Sequence, residues 1–151
     1  MQQVRSGLSR FEAVKGRLQQ KKGIMGTCLI DDTYNANPAS LEAAISAAME
    51  TSKSCWLILG DMGELGDIAH EAHIDAGEYA RAQGIERVFT FGQLSRAASN
   101  SFGEGAEHFE DINNLIGTVS EQLREGVTVL IKGSRSMGME RVVNALEEGA
   151  N

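Results

Sequence analysis

A chain of 151 residues with 42% apolar and 23% charged residues has the composition of one ordinary globular domain. Its formal net charge of −7 argues against a surface that binds nucleic acid or an anionic membrane. No apolar run approaches the roughly 20 residues of a membrane-spanning helix, and the N-terminus lacks the layout of a signal peptide, so we expect a cytoplasmic protein.

The first 15 residues differ from the rest of the chain. Apolar side chains stand there among polar neighbours, without an obvious partner structure: Val4, Leu8, Phe11 and Val14. We therefore interpret residues 1–15 as a linker from something upstream, and residues 16–151 as the domain itself.

Strands and helices are predicted to alternate along the domain. It begins with a small hairpin, from strands at 17–20 and 27–32 joined by 21–23. Further strands are predicted at 55–59, 87–91, 107–109 and 127–131, and helices at 41–49, 69–80, 93–100, 112–123 and 139–146. Alternation of this kind requires parallel pairing through right-handed crossovers. We thus predict a doubly wound, Rossmann-like α/β fold, with a mostly parallel sheet and helices on both faces.

The first loop (residues 31–38) is the most informative segment. It follows a predicted buried strand and leads directly into a helix, at the edge where open α/β sheets bind ligands. Asn37 is a good N-cap and Pro38 a good first helical residue. Capping does not account for Asp32, Tyr34 and Asn35, nor for Asp31 beside them. We therefore favour a ligand-facing role over a simple turn.

The second loop (residues 59–66) combines glycines with acidic side chains. Gly60, Gly63 and Gly66 permit positive φ and close backbone approach. Asp61 and Glu64 are able to accept hydrogen bonds from an amine or from ribose hydroxyls. The alternative is a glycine-rich turn with solvated acids.

The third loop (residues 131–138) carries cations and hydroxyls. Lys132 ends the last strand, and Arg135 offers a bidentate fork suited to a carboxylate or phosphate. Ser134, Ser136 and the following helix N-terminus add donors for an anion. An exposed cationic turn is the alternative.

The sequence gives no sign of a metal site or a triphosphate-binding loop. His70 and His73 lack the spacing of a zinc protease, and two histidines on a solvated helix are usually unremarkable. Cys28 and Cys55 fall in predicted core strands, as reduced thiols of a cytosolic protein do. No Gly-Lys dipeptide occurs, so the chain lacks a P-loop. If it handles ATP, most of the phosphate machinery lies elsewhere.

In order and spacing, the motifs resemble the C-terminal domain of the Mur ligases of peptidoglycan synthesis. The matching segments are 16–18, 31–38, 59–66, His73 and 132–136. Relatives that add a dicarboxylic amino acid carry Asp-Asn-Pro-Arg after the third strand. Residues 91–94 read Phe-Gly-Gln-Leu here, which favours the branch that adds D-alanyl-D-alanine to UDP-N-acetylmuramoyl-tripeptide.

The resemblance implies an ATP-dependent enzyme of three domains, in which the tripeptide carboxylate is phosphorylated and then attacked by the dipeptide amine. The central domain would hold the P-loop and most of the Mg²⁺ ligands, so no metal ligand is assigned to this chain. We expect the full-length enzyme to be a monomer, and this chain alone to be folded but inactive.

The resemblance also implies roles for individual residues. Those that would close over the ribose and adenine of ATP are Asp32, Tyr34, Asn35 and Asn37. Those that would bind the dipeptide carboxylate or the charged intermediate are Lys132, Ser134 and Arg135. Those that would line the approach of the amine are Asp61, Glu64 and His73. Lys132 and His73 are the catalytic candidates, although His73 would otherwise simply hold the second loop in place.

Two other functions remain open at this stage. In a phosphoacceptor receiver domain, Asp31 and Asp32 would form the acid pair and Asp61 would be phosphorylated. However, Asp61 follows the second parallel strand, whereas a receiver's acceptor ends the third. The other alternative is a standalone ligand-binding module that kept the fold and lost the chemistry.

Overall fold

The computed structural model of the chain describes residues 17–149, so the predicted linker at residues 1–15 lies outside it. The strands within this range are β1 (Gln19–Lys22), β2 (Cys28–Asp32), β3 (Cys55–Gly60), β4 (Arg87–Phe91), β5 (Ala106–Phe109) and β6 (Thr128–Lys132). The α-helices are α1 (Pro38–Met49), α2 (Ala69–Gln83), α3 (Arg96–Phe102), α4 (Ile112–Gln122) and α5 (Glu140–Leu146). None of the helices in residues 17–149 has the length and apolar character needed to cross a membrane.

The six strands form one sheet in the order β1-β2-β6-β3-β4-β5. Only the β1–β2 pair is antiparallel, and all other neighbours are parallel. This arrangement confirms the predicted α/β class, with its hairpin at the start. The last strand, β6, is inserted between β2 and β3. The loops that follow these three strands therefore lie side by side at a switch in strand order, where such sheets bind ligands.

Helices cover both faces of the sheet. Because side chains alternate along a strand, Ile30 and Leu57 face one layer while Leu29 and Trp56 face the other. The first layer contains α1, α2 and α3, and the second contains α4 and α5. Strand β3 is buried at every position, as its continuous apolar run predicts.

The hairpin differs in detail from the prediction. Residues 21 and 22, predicted as the turn, belong to β1, where Lys22 pairs with Cys28. The connection lies at residues 23–27 and is closed by the Gly23 N–H, which donates to the Thr27 carbonyl at 2.9 Å. The polar strand β1 lies at the sheet edge and carries no apolar alternation, so its sequence offers no signal for the register.

The third helix begins later than predicted, at Arg96 instead of residue 93. Residues 93–95 form a turn in which the backbone N–H groups of Leu94 and Ser95 donate to Asp61 Oδ1 at 3.1 and 2.8 Å. The Asp61 carboxylate, which comes from another loop, thus binds the amides of the residues that were predicted to form the first turn of the helix. The local sequence cannot indicate such a long-range contact.

Both cysteines are free thiols, and Cys55 is buried in β3. Burial, followed by the nearby Cys28 and Glu86, raises the pKa of the Cys55 thiol to about 11. Cys55 thus fits the predicted core role, whereas Cys28 is only partly buried.

Candidate functional site

Close backbone contact brings the second and third loops together. A Cβ atom on Gly133 would lie 2.6 Å from Met139 Cγ and 3.2 Å from Gly60 Cα, so only glycine fits. The Ser134 N–H also donates to the Asp61 carbonyl at 2.9 Å. The two loops are therefore held against each other at the ends of β3 and β6.

A cavity of about 500 Å³, the central cavity, lies where the three loops meet. Tyr34, Glu64 and Arg135 come from the first, second and third loops respectively, and all three line it. The other lining residues are Asn35, Ala36, Asn37, Gly63, Leu65, Ser134 and Ser136. Its size suits a small organic ligand. The expected convergence of the three loops on one edge is confirmed.

A second cavity of about 400 Å³, the flanking cavity, lies on the other side of Tyr34. Tyr34, Asn35 and Asn37 line both cavities. The remaining residues around the flanking cavity are Arg17, Leu18, Asp32, Ser40, Ala43 and Lys132. The first loop thus forms a wall between two neighbouring spaces.

Two arginines contact the ring of Tyr34. The guanidinium carbon of Arg17 lies 4.0 Å from the ring centroid, and that of Arg135 lies 5.1 Å from it. Within residues 17–149, no carboxylate lies within 4.0 Å of either guanidinium. An acidic chain thus presents two cations without acidic partners at its ligand edge. Arg17 belongs to the matching segment 16–18, but its neighbours in the sequence carry no signal of a site residue.

Lys132 is buried and paired, with 1% of its side chain exposed. Its ammonium donates to Asp32 Oδ2 at 2.6 Å and to the Asn35 carbonyl at 2.9 Å. Asp32 Oδ1 also accepts from the Leu18 N–H at 3.1 Å. Lys132 thereby joins the end of β6 to the first loop and to the start of the domain. Ser134 and Arg135 line the central cavity, but Lys132 does not.

His73 is fully buried, which corrects the sequence interpretation of a histidine on a solvated helix face. Its Nε2 accepts from the Met62 N–H at 3.0 Å, and its Nδ1 lies 2.7 Å from the Ala69 carbonyl. Since Nε2 is an acceptor, Nδ1 carries the proton and donates to that carbonyl. The ring thus links the second loop, through Met62, to the first residue of α2, which agrees with the structural alternative raised for this residue.

Asp61 faces away from the central cavity. Its carboxylate accepts from the Leu94 and Ser95 amides, so it connects the second loop to the turn after β4. Asn37 caps α1, since its Oδ1 accepts from the Ser40 N–H and Ser40 Oγ accepts from the Asn37 N–H. The capping prediction for Asn37 and Pro38 is confirmed.

A third cavity of about 410 Å³ lies beyond β4, where sequence reasoning assigned no site. Its lining residues are Phe91, Gly92, Gln93, Arg96, His108 and Glu110. His108 Nδ1 bonds to Thr90 Oγ1 at 2.7 Å, while its buried Nε2 has no partner among the described residues. Burial, and then the Arg96 guanidinium, lower the pKa of His108. In the sequence, the Phe91–Leu94 segment distinguishes branches of the family, but it does not predict a cavity here.

The geometry does not suit a receiver domain. Strand β6 separates β2, which ends in Asp31 and Asp32, from β3, which precedes Asp61. The Asp31 carboxylate already accepts a hydrogen bond from Thr33 Oγ1 at 2.6 Å. Within residues 17–149, no group of three or more acids, histidines or cysteines is placed to hold a metal ion.

Comparison with known proteins identifies the matching family. The model of the family described as "Mur ligase, glutamate ligase domain" matches residues 16–135. The UDP-N-acetylmuramoyl-tripeptide--D-alanyl-D-alanine ligase of Escherichia coli strain K12 is 42% identical over 147 residues, which cover 96% of this chain. The enzyme of the same name from Bacillus subtilis strain 168 is 34% identical over 149 residues, which cover 94% of this chain.

A solved structure shares the fold. It is the MurF ligase of Thermotoga maritima in complex with ADP, with a TM-score of 0.80, 25% identity and 91% of this chain covered. The match spans only 32% of that protein, and the chain spans 32% and 33% of the two curated relatives. The similarity therefore concerns about one third of each longer protein.

Proposed function

Because this chain belongs to the Mur ligase family, as its glutamate ligase domain, we propose that it is the C-terminal part of an ATP-dependent ligase. That ligase would join D-alanyl-D-alanine to UDP-N-acetylmuramoyl-tripeptide, the reaction named for its relatives. The observation that carries the proposal is the convergence of Tyr34, Glu64 and Arg135 on one cavity at the ligand edge of the sheet.

The flanking cavity fits one part of a nucleotide. It offers the amides of Asn35 and Asn37, and the guanidinium of Arg17, which lies over the Tyr34 ring, for a phosphate. When bound, ATP would supply the phosphoryl group that activates the tripeptide carboxylate. Asp32 would contribute indirectly, because its bonds to Lys132 and Leu18 fix the shape of the first loop beside this cavity.

The central cavity fits the incoming dipeptide. Arg135 would bind its carboxylate through two parallel hydrogen bonds, with the Ser134 and Ser136 hydroxyls as further donors. Tyr34, Asn35 and Asn37 border both cavities, so a nucleotide on one side and a dipeptide on the other would share one wall. Closing this surface against another domain would exclude water and bring the amine to the acyl phosphate.

The described residues offer no cluster of ligands for Mg²⁺, so we propose that magnesium is held elsewhere in the full-length protein. The chain also lacks a Gly-Lys phosphate-binding motif. We further propose that the enzyme is cytoplasmic and monomeric and has no nucleic-acid partner. Gel filtration of the full-length protein tests whether it is a monomer.

The test is a ligation assay on the full-length protein that contains this chain. Phosphate release and the ligated product should require ATP, the UDP-linked tripeptide and D-alanyl-D-alanine together. Arg135→Ala should lower kcat/KM for the dipeptide roughly 10- to 150-fold, because it removes a charged, bidentate contact. Arg124→Ala, at the opposite sheet edge, is the matched control and should leave the kinetics unchanged.

Failure of the wild-type protein to form the product would refute the ligase proposal. Unchanged kinetics of Arg135→Ala would remove Arg135 from the dipeptide site. Calorimetric titration of the 151-residue chain with D-alanyl-D-alanine should show weak binding at best. Micromolar binding would contradict the expectation that other domains complete the site.

A further inference from the structure

Tyr34 lies in a part of the first loop that is fixed on both sides. Before it, the Thr33 N–H and Oγ1 both donate to Asp31 Oδ1, at 3.2 and 2.6 Å. After it, the Asn35 carbonyl accepts from the Lys132 ammonium at 2.9 Å. Since Asp31 belongs to β2 and Lys132 to β6, the sheet itself holds the backbone on either side of the Tyr34 ring.

Arg17 and Arg135 differ from the other arginines that the structure describes. Each of the others donates a side-chain hydrogen bond to a described residue: Arg81, Arg87, Arg96, Arg124 and Arg141. Within residues 17–149, the guanidinium groups of Arg17 and Arg135 have neither such a bond nor a carboxylate within 4.0 Å. Both instead contact the Tyr34 ring, at 4.0 and 5.1 Å from its centroid, which is within the range of about 6 Å for cation–π attraction. The ring is therefore the group that orients both cations.

The two arginines serve different cavities. Arg17 lines the flanking cavity and Arg135 the central cavity, whereas Tyr34 lines both. An exposed arginine side chain loses rotamer freedom when a ligand fixes it. A ring that already restricts these rotamers lowers this cost of binding. Tyr34 thus prepares one guanidinium for an anion on each side of the first loop.

We propose that Tyr34 is a positioning residue, which acts through Arg17 and Arg135 and not by stacking on the adenine. The inference rests on the proposed function, in which Arg17 binds a phosphate and Arg135 a carboxylate. The Arg17 guanidinium lies over the ring, where a base would otherwise stack. Of the two tyrosine hydroxyls, only that of Tyr79 makes a hydrogen bond with a described residue. The ring of Tyr34 is therefore the part that is needed, and its hydroxyl is not.

The first experiment tests the contacts by NMR spectroscopy of the 151-residue chain. The ring current of Tyr34 should shift the Nε–H resonances of Arg17 and Arg135. Tyr34→Phe keeps a ring and should keep both shifts, whereas Tyr34→Leu should abolish them. Tyr79→Leu is the matched control, because Tyr79 is the other tyrosine of the chain and lines neither cavity. It should leave both arginine resonances unchanged.

The second experiment measures the kinetics of the full-length ligase. Loss of a cation–π contact at an exposed site weakens binding by about two- to fivefold. Tyr34→Leu should therefore raise the KM for ATP and the KM for D-alanyl-D-alanine by about this factor, while kcat changes by less than about 1.5-fold. Tyr34→Phe and Tyr79→Leu should keep both KM values within about 1.5-fold of wild type.

A mutant cycle separates positioning from direct contact. In the Arg17→Ala background, Tyr34→Leu should no longer raise the KM for ATP, because the guanidinium that the ring orients is absent. In the Arg135→Ala background, it should no longer raise the KM for the dipeptide. If the ring stacked on the adenine, its loss would raise the KM for ATP in both backgrounds.

Three results would overturn the inference. They are arginine resonances that stay unchanged in Tyr34→Leu, equal KM increases in Tyr34→Phe and Tyr34→Leu, and an effect of Tyr34→Leu on the KM for ATP that persists without Arg17. If the wild-type protein does not ligate, the proposed function fails. The NMR experiment then still decides whether Tyr34 orients the two arginines.

Discussion

The ammonium of Lys132 lies 2.6 Å from Asp32 Oδ2, and 1% and 10% of the two side chains are exposed. The pair joins residues that are 100 positions apart and links the last residues of β2 and β6. Because Asp32 also binds the Leu18 N–H and Lys132 the Asn35 carbonyl, the pair fixes the first loop from two sides. The wall between the two cavities depends on it.

Lys132→Met should lower the free energy of unfolding of the 151-residue chain by about 3–5 kcal/mol, because it leaves the Asp32 carboxylate buried without a counter-charge. Urea unfolding measures the loss. The double variant Asp32→Asn, Lys132→Met removes the stranded charge and should recover part of the stability. A loss below about 1 kcal/mol in the single variant would show that the pair is not buried in solution.

His73→Phe should destabilise the second loop, because it leaves the Met62 N–H without an acceptor. We expect a loss of about 1–3 kcal/mol in urea unfolding. Hydrogen exchange at the Met62 amide should become faster. The control is His70→Phe, since His70 is exposed one turn earlier on the same helix, and its effect should stay within about 0.5 kcal/mol. Equal effects of the two variants would contradict the proposed support of the loop.

The lowered pKa of Glu86 predicts that the stability of the folded protein depends on pH. The hydrogen bond from Trp56 Nε1, at 2.8 Å, is the main cause that lowers the pKa of Glu86 below its usual value, and bonds from Ser54 and Arg124 add to it. A lowered folded-state pKa stabilises the protein above the unfolded-state value, and this contribution is lost as the pH falls through the folded-state pKa.

The difference in unfolding free energy between wild type and Glu86→Gln should therefore be larger at pH 7 than at pH 3. Urea unfolding at several pH values measures it, and Trp56, the single tryptophan, reports on it by fluorescence. Glu42→Gln, at an exposed position on α1, serves as the control for the loss of a surface carboxylate. A constant difference across this range for Glu86→Gln would refute the assignment.

Gly77 allows α2 and α3 to pack closely. A Cβ atom there would lie 2.2 Å from the Ala98 carbonyl oxygen, so Gly77→Ala should cost about 1–3 kcal/mol of unfolding free energy. Gly117 in α4 has no atom within 4 Å of the corresponding position. Gly117→Ala should therefore gain about 0.5–1 kcal/mol from helix propensity. Thermal or urea unfolding that shows the same sign for both would contradict the close helix contact.

The sequence by itself determined the α/β class and the edge at which the ligand residues lie. Apolar strands such as Cys55–Gly60 alternate with helical stripes, and this local pattern requires a sheet covered on both faces. In such a sheet all strand-to-helix loops share one edge, so the sequence predicts that Tyr34, Glu64 and Arg135 are neighbours.

Only the tertiary structure decided what each polar residue contacts. Lys132 is paired with Asp32, His73 holds Met62, and Asp61 holds the turn at residues 93–95. These partners are 11 to 100 positions apart, and such pairing leaves no local periodicity in the sequence. The insertion of β6 between β2 and β3 has the same origin, because strand order is set by long-range packing and not by the pattern within any strand.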